Sequence, residues 1–187
     1  DGYYWGSYQM TEKIEVGKSA LVNDIDDTAY LDADGNVNKD FPFLCEVDSG
    51  AVDGEDYYVK CDDGIKVTIK APELSEGDNN EVKNYVREKY NAFYRAAKKA
   101  DSDLSQYADV DSCAKLWLIN ELGKNWDSGV SSVYFVYKQD SDGNYKFFGS
   151  PVWDYDNALG NATGNAWDLQ NFGVKDYTQY SGLWCRF

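Results

Sequence analysis

The hydrophobic period of this chain changes once, at Pro72, and that change limits the folds open to it. Before Pro72, FPFLCEV (41–47) and DYYVKC (56–61) are strand-like, and in IKVTIKA (65–71) Ile65, Val67 and Ile69 alternate with Lys66, Thr68 and Lys70. An alternation of this kind marks a half-exposed strand. After it, Val82, Tyr85, Val86, Tyr90, Phe93 and Ala97 recur at intervals of three and four, which predicts an amphipathic helix over about 80–100 with Asn79 or Asn80 as N-cap. A second helix is predicted over about 109–122, capped by Asp109 or Asp111, burying Val110, Ala114, Trp117, Leu118 and Leu122 and stopping at Gly123. SVYFVYKQ, the turn DSDGN (140–144) and YKFFG then read as a two-stranded hairpin. Upstream, YYWGSYQMTEKIEV (3–16) reads as two short strands or a hairpin, and the Asp/Asn/Gly-rich stretch 23–40 as a loop. Strands, two helices and a hairpin in that order give an α+β class with segregated helices. At 187 residues, 1–187 is read as a single domain.

Charge and composition remove several functions. There are 33 acidic residues, 24 of them Asp, against 18 basic ones, a net charge of −15. So negative a surface repels phosphate backbones and anionic lipid, which argues against nucleic-acid and membrane-surface binding, and no apolar run is long enough to span a bilayer. Histidine is absent, so there is no Ser-His-Asp or Cys-His arrangement. Any general base must be a carboxylate, and any metal site must be built mainly of oxygen ligands, which suit Mg, Ca or Mn. Cys45, Cys61, Cys113 and Cys185 contain no C-x-x-C pair. The even count is compatible with export, and a Cys45–Cys61 disulfide across neighbouring strands is weighed against plain buried thiols. With Asp1 in first place and no leader visible, the chain reads as a mature product or a piece of something larger.

Two segments imitate calcium loops. In LDADGNVNKD (31–40), placing Gly35 at the sixth position puts Tyr30 first and Phe41 twelfth, so both anchoring oxygen ligands are missing. DSDGN (140–144) fails likewise and is better explained as a turn.

KNWDSGVSS (124–132) follows the second helix and PVWDYDNALG (151–160) follows the hairpin. Both therefore emerge at one end of the hairpin, which predicts that Asp127, Asp154 and Asp156 lie close together. Phosphoryl transfer needs one carboxylate to orient a hydroxyl, and a second carboxylate with a neutral oxygen to hold the metal that bridges the phosphates. In GYYWGSYQMTEKIEV, FLCEVD, LINELGKNWDSG and GSPVWDYDNALGN the chain resembles the CotH (spore coat protein H) kinase family over roughly residues 2–161, most specifically in the Trp-Asp-Tyr-Asp turn.

The resemblance implies an atypical protein-kinase-like fold, here lacking its N-terminal part, that binds ATP with Mg and in some members phosphorylates extracellular or spore-coat proteins. It implies Asp127 as the catalytic-loop carboxylate, Asp154 as the metal-binding residue, and Asp156 as an additional or alternative ligand. Glu12 and Lys13, in QMTEKIE, would lie near the nucleotide. Ser132 stands where kinases place a metal-binding Asn and offers a single hydroxyl. The upstream strands carrying the phosphate-binding Lys are expected before Asp1. A secreted, surface or spore-coat location follows from the same resemblance, and a pseudokinase is the inactive form of this reading.

Plain readings stand beside these. Asp127 fits a turn after a helix end, Asp154 and Asp156 fit backbone acceptors at a helix start, and Glu12 fits a surface strand. Trp117 and Trp153 read as core residues. Asn161-Ala-Thr163 matches a glycosylation acceptor, a motif short enough to arise by chance. The alternative functions are a non-catalytic extracellular module for carbohydrate or a surface protein, favoured by the surplus of Tyr and Trp, and a glycoside hydrolase using two Asp.

Overall fold

A computed structural model describes residues 2–3, 11–54, 57–74, 80–99 and 101–161. Five antiparallel strands form one sheet: β1 Phe43–Val47, β2 Tyr58–Lys60, β3 Lys66–Ala71, β4 Val133–Gln139 and β5 Tyr145–Gly149, in the order β2-β3-β1-β4-β5. Two helices, α1 Asn80–Lys98 and α2 Val110–Gly123, lie between β3 and β4 in sequence. The class is α+β.

Both helices pack on one face of the sheet, α1 over β2 and β3 and α2 over β5. The strand period of two sends Phe43, Cys45 and Val47, Val67 and Ile69, Val133, Phe135 and Tyr137, and Phe147 to that face, where they meet Val82, Val86, Tyr90 and Phe93 of α1 and Cys113 and Leu116 of α2. Phe93 stacks on Phe147 with ring centroids 4.7 Å apart, and Phe43 stacks on Tyr137 at 4.8 Å. Each fully buried Phe contributes about 1.5–3 kcal/mol. The opposite face gathers Leu44, Ala71, Tyr134 and Val136 under Ile14 and Val22 of the N-terminal segment, with Trp153 against them. Because both faces are covered at β1, all five of its residues are buried. That explains why β1 is apolar at every position except Glu46, which Lys70 answers.

Helix α1 spans the predicted segment and buries the predicted stripe, except that Tyr85 is only half-buried and Tyr94 joins the core. Helix α2 differs. Asp109 is its N-cap, accepting from Ser112 N at 2.8 Å, but its buried residues are Cys113, Leu116, Asn120 and Glu121. Four of the residues expected in the core, Val110, Ala114, Leu118 and Leu122, are instead exposed, Leu122 at 68%, and Trp117 is only half-buried. Apolar side chains occur all around this helix, so periodicity could not select a face. Packing on β5 selected Cys113 and Leu116, and polar partners beyond the helix selected Asn120 and Glu121.

Cys45, Cys61 and Cys113 are free buried thiols, so the Cys45–Cys61 disulfide is not formed; burial pushes the Cys61 and Cys113 thiols up to about 12. Most of the strands expected over 3–16 lie outside the described residues. The described part, 11–16, carries only a bridge between Val16 and Val22. The calcium look-alike at 31–40 is a turn in which Asp32 Oδ1 accepts from Asp34 N and Asn36 N, both at 2.9 Å.

Candidate functional site

The hairpin β4–β5 brings two loops to one place. The first follows α2, which ends at Gly123 with Lys124 as C-cap at φ 51°, in the left-handed region. Gly is the residue expected in that conformation. Here Gly123 serves a different need: a Cβ on it would lie 2.9 Å from the Tyr155 ring. Beyond Lys124, a 3-10 turn, Trp126–Gly129, carries Asp127. The second loop starts at Ser150, whose N–H donates to Tyr134 O at 3.2 Å, and runs through Trp153-Asp154-Tyr155-Asp156 to Asn161.

Each loop holds the key carboxylate of the other. Ser132 Oγ, on the α2–β4 loop, donates to Asp154 Oδ2 at 2.9 Å. Asn157 Nδ2, on the second loop, donates to Asp127 Oδ2 at 2.6 Å. Leu159 N donates to Gly123 O at 2.7 Å, closing the junction through the backbone. Ser132 and Asp154 are both left-handed, at φ 56° and 57°. Non-glycine residues in that region cost about 1–3 kcal/mol each and persist where surrounding contacts fix them.

Beneath these contacts lies a buried polar chain. Tyr155 OH donates to Asn120 Oδ1 at 2.9 Å, Asn125 Nδ2 donates to the same oxygen at 3.2 Å and to Asp154 O at 3.3 Å, and Asn120 Nδ2 donates to Leu116 O at 2.9 Å. Burial pushes the Tyr155 hydroxyl up to about 12. Alongside, Lys124 Nζ meets Glu121 Oε1 at 2.5 Å, with both side chains largely buried.

A polar row crosses the sheet face towards Asp154. Lys70 on β3 pairs with Glu46 on β1 at 2.7 Å, and Glu46 bonds Tyr134 on β4. Burial raises Glu46 above the ordinary carboxylate value despite the Lys70 charge. Burial raises Tyr134 as well, helped by the charges of Glu46, Asp48 and Asp154.

Ser132 and Asp154 thus touch, and Asp127 is tied to the Asp154 loop through Asn157. The Asp156 side chain is exposed, while its backbone oxygen accepts from Asn161 Nδ2 at 2.6 Å. Glu12 and Lys13 are exposed too, Lys13 lying 3.5 Å from Glu15, but Ile14, next to Lys13, is buried on the sheet face that also carries Trp153. Among the described residues, no three Asp, Glu, Cys or His side chains form a group able to hold a metal by themselves. Any cation here would need oxygens from its ligand as well. A cavity of about 230 Å³ lies elsewhere, lined by Glu88, Lys89, Gln106, Tyr107, Tyr137 and Tyr145 among others, and contains none of these residues.

Sequence reasoning missed Asn120, Asn125 and Asn157. The signal was present in part: Asn is a poor helix former, yet Asn120 sits inside the apolar stretch LWLINEL, where only an inward partner justifies it.

A sequence profile of the CotH kinase protein family matches residues 1–185. The chain belongs to the CotH kinase family. No curated protein and no solved structure matches it. Among the described residues of this CotH-family chain, no helix is long and apolar enough to cross a membrane. Membership accounts for the resemblance carried by the Trp-Asp-Tyr-Asp turn and puts a kinase-like activity in view.

Proposed function

We propose that this chain is a kinase-like domain that binds ATP with magnesium at the junction of the α2–β4 loop and the Trp-Asp-Tyr-Asp turn. One observation carries the reading: the reciprocal bonds Asn157–Asp127 and Ser132–Asp154 tie together the two loops that bear these carboxylates. Asp154 and Ser132, with Asp156 as a further acid from the same turn, offer hard oxygen donors of the kind magnesium takes. Such a set supplies two or three ligands, which fits a cation that keeps waters and shares phosphate oxygens. Magnesium, when bound, would neutralise charge on the phosphates. Asp127 would orient the attacking hydroxyl of a protein substrate and accept its proton, Asn157 holding its carboxylate in place. Glu12 and Lys13 would flank the nucleotide from the N-terminal segment. A secreted, surface or spore-coat location is proposed on family membership and the acidic composition.

Calorimetry with ATP and magnesium tests this. Saturable heat that needs magnesium and disappears in Asp154→Ala is expected. No magnesium-dependent binding, or metal-independent binding of an oligosaccharide that Asp154→Ala leaves intact, would overturn it in favour of a non-catalytic module.

A further inference from the structure

We infer that Asn125 is a positioning residue that sets the distance between the two carboxylates of the candidate site. The inference rests on the proposed function for its consequence but not for its geometry. Asn125 is 2% exposed and stands two residues before Asp127. Its backbone works on the first loop: its N–H donates to Asn120 O at 3.0 Å, closing the end of α2, and its carbonyl accepts from Ser128 Oγ at 2.8 Å and Ser128 N at 3.3 Å, fixing the turn that bears Asp127. Its side chain works on the second loop, through the bonds from Nδ2 to Asp154 O and to the Asn120 oxygen that also receives the Tyr155 hydroxyl. One residue thereby fixes the backbone on both sides of the junction.

Packing alone does not account for an asparagine here. Its Oδ1 is buried and has no hydrogen-bond partner among the described residues. A buried polar atom left unsatisfied costs about 1–3 kcal/mol, and an apolar side chain of similar size would avoid that cost. What the amide supplies, and Leu would not, is two donors aimed at two acceptors on different segments. The bond to Asp154 O matters most, because Asp154 is held left-handed and its carboxylate direction depends on that backbone. Releasing the carbonyl would let the turn relax towards ordinary φ and swing the carboxylate away from Ser132. Asn125 touches neither carboxylate, so its effect on chemistry is indirect.

The test uses Asn125→Leu, which removes both donors, and Tyr155→Phe, which removes only the hydroxyl bond to Asn120 and leaves the core volume unchanged. The first readout is amide hydrogen exchange without any ligand. In Asn125→Leu, exchange at Ala158 and Leu159 is expected to rise about tenfold, and in Tyr155→Phe by a smaller factor, with β4 and α1 amides unchanged. The second readout is the magnesium concentration needed for half-maximal ATP binding, expected to rise about tenfold in Asn125→Leu while Asp127 and Asp154 remain in place. Unchanged exchange at Leu159 in folded Asn125→Leu would overturn the inference. So would faster exchange with an unaltered magnesium requirement, since the junction would then be tied but not gauged. If the parent chain binds no magnesium nucleotide, the proposed function fails, and exchange alone decides whether Asn125 ties the two loops. Should Asn125→Leu fail to fold, Asn125→Ala, which removes the same two donors without adding bulk, carries the same comparison.

Discussion

The hairpin β4–β5 has an acidic turn at each end, and the two are built in opposite ways. At the tip, Asp140 Oδ1 accepts from Asp142 N and Asn144 N, both at 2.9 Å, while Oδ2 meets Lys146 Nζ at 2.7 Å. The left-handed position there, φ 83°, is taken by Gly143, where it costs no steric strain. At the foot, Asp154 itself is left-handed, and among the described residues its carboxylate is held by the Ser132 hydroxyl. The tip turn saturates its carboxylate with its own backbone and one lysine. The foot turn leaves lone pairs over and tolerates strain to keep them aimed. An aspartate in a turn is structural when the turn itself answers its oxygens, and becomes a candidate ligand when the answers come from a different loop.

That contrast can be broken or sharpened by substitution. Asp127→Asn should lower any phosphate transfer by about 10²–10⁴-fold, the usual worth of a general base, while leaving ATP binding nearly intact. Asp140→Asn at the tip should leave both unchanged, with radiolabelled transfer and calorimetry as the measurements. Equal losses at the two ends would end the comparison.

Next come the glycines. A Cβ on Gly149, near the foot, would meet Ser112 O of α2 at 2.6 Å, and backbone cannot give way. Gly149→Ala should therefore cost about 1–3 kcal/mol in denaturant unfolding. Gly143→Ala meets nothing within 4 Å but must hold φ 83°. It should cost about 1–2 kcal/mol without disturbing the foot.

Ser132→Ala removes a hydroxyl that orients Asp154 and should weaken magnesium-dependent ATP binding by about tenfold, without a change in melting temperature. The smallest effect concerns pH. Hydrogen bonds from Lys146 and the turn backbone hold Asp140 at about 2, below the ordinary 3.8. A carboxylate lowered on folding adds stability that is present above its unfolded value and lost as pH falls through its folded one. Asp140→Asn should accordingly flatten the fall in melting temperature between about pH 4 and 2.

Helix α1 and the hairpin were legible because each is strongly periodic and each ends in recognisable chemistry, an amphipathic stripe in one case and Asp-Ser-Asp-Gly-Asn in the other. The face of α2 was not, since LWLINEL offers apolar residues in every direction. Asp127, Asp154 and Asp156 could be singled out from loop positions relative to the hairpin, and Ser132 from the resemblance to kinases alone. Asn125 and Asn157 could not, because an asparagine in a loop has many ordinary uses and its partners here lie 29 and 30 residues away.

By itself the sequence determined most of the local elements, the absence of imidazole chemistry that follows from having no histidine, and the family, since these depend on residue type and short-range spacing. Tertiary structure decided which side of α2 is buried, that Cys45 and Cys61 remain thiols, and which amide holds which carboxylate. The reason is physical. A period specifies a face only when one face is apolar, and a hydrogen bond between loops depends on where the sheet places their ends.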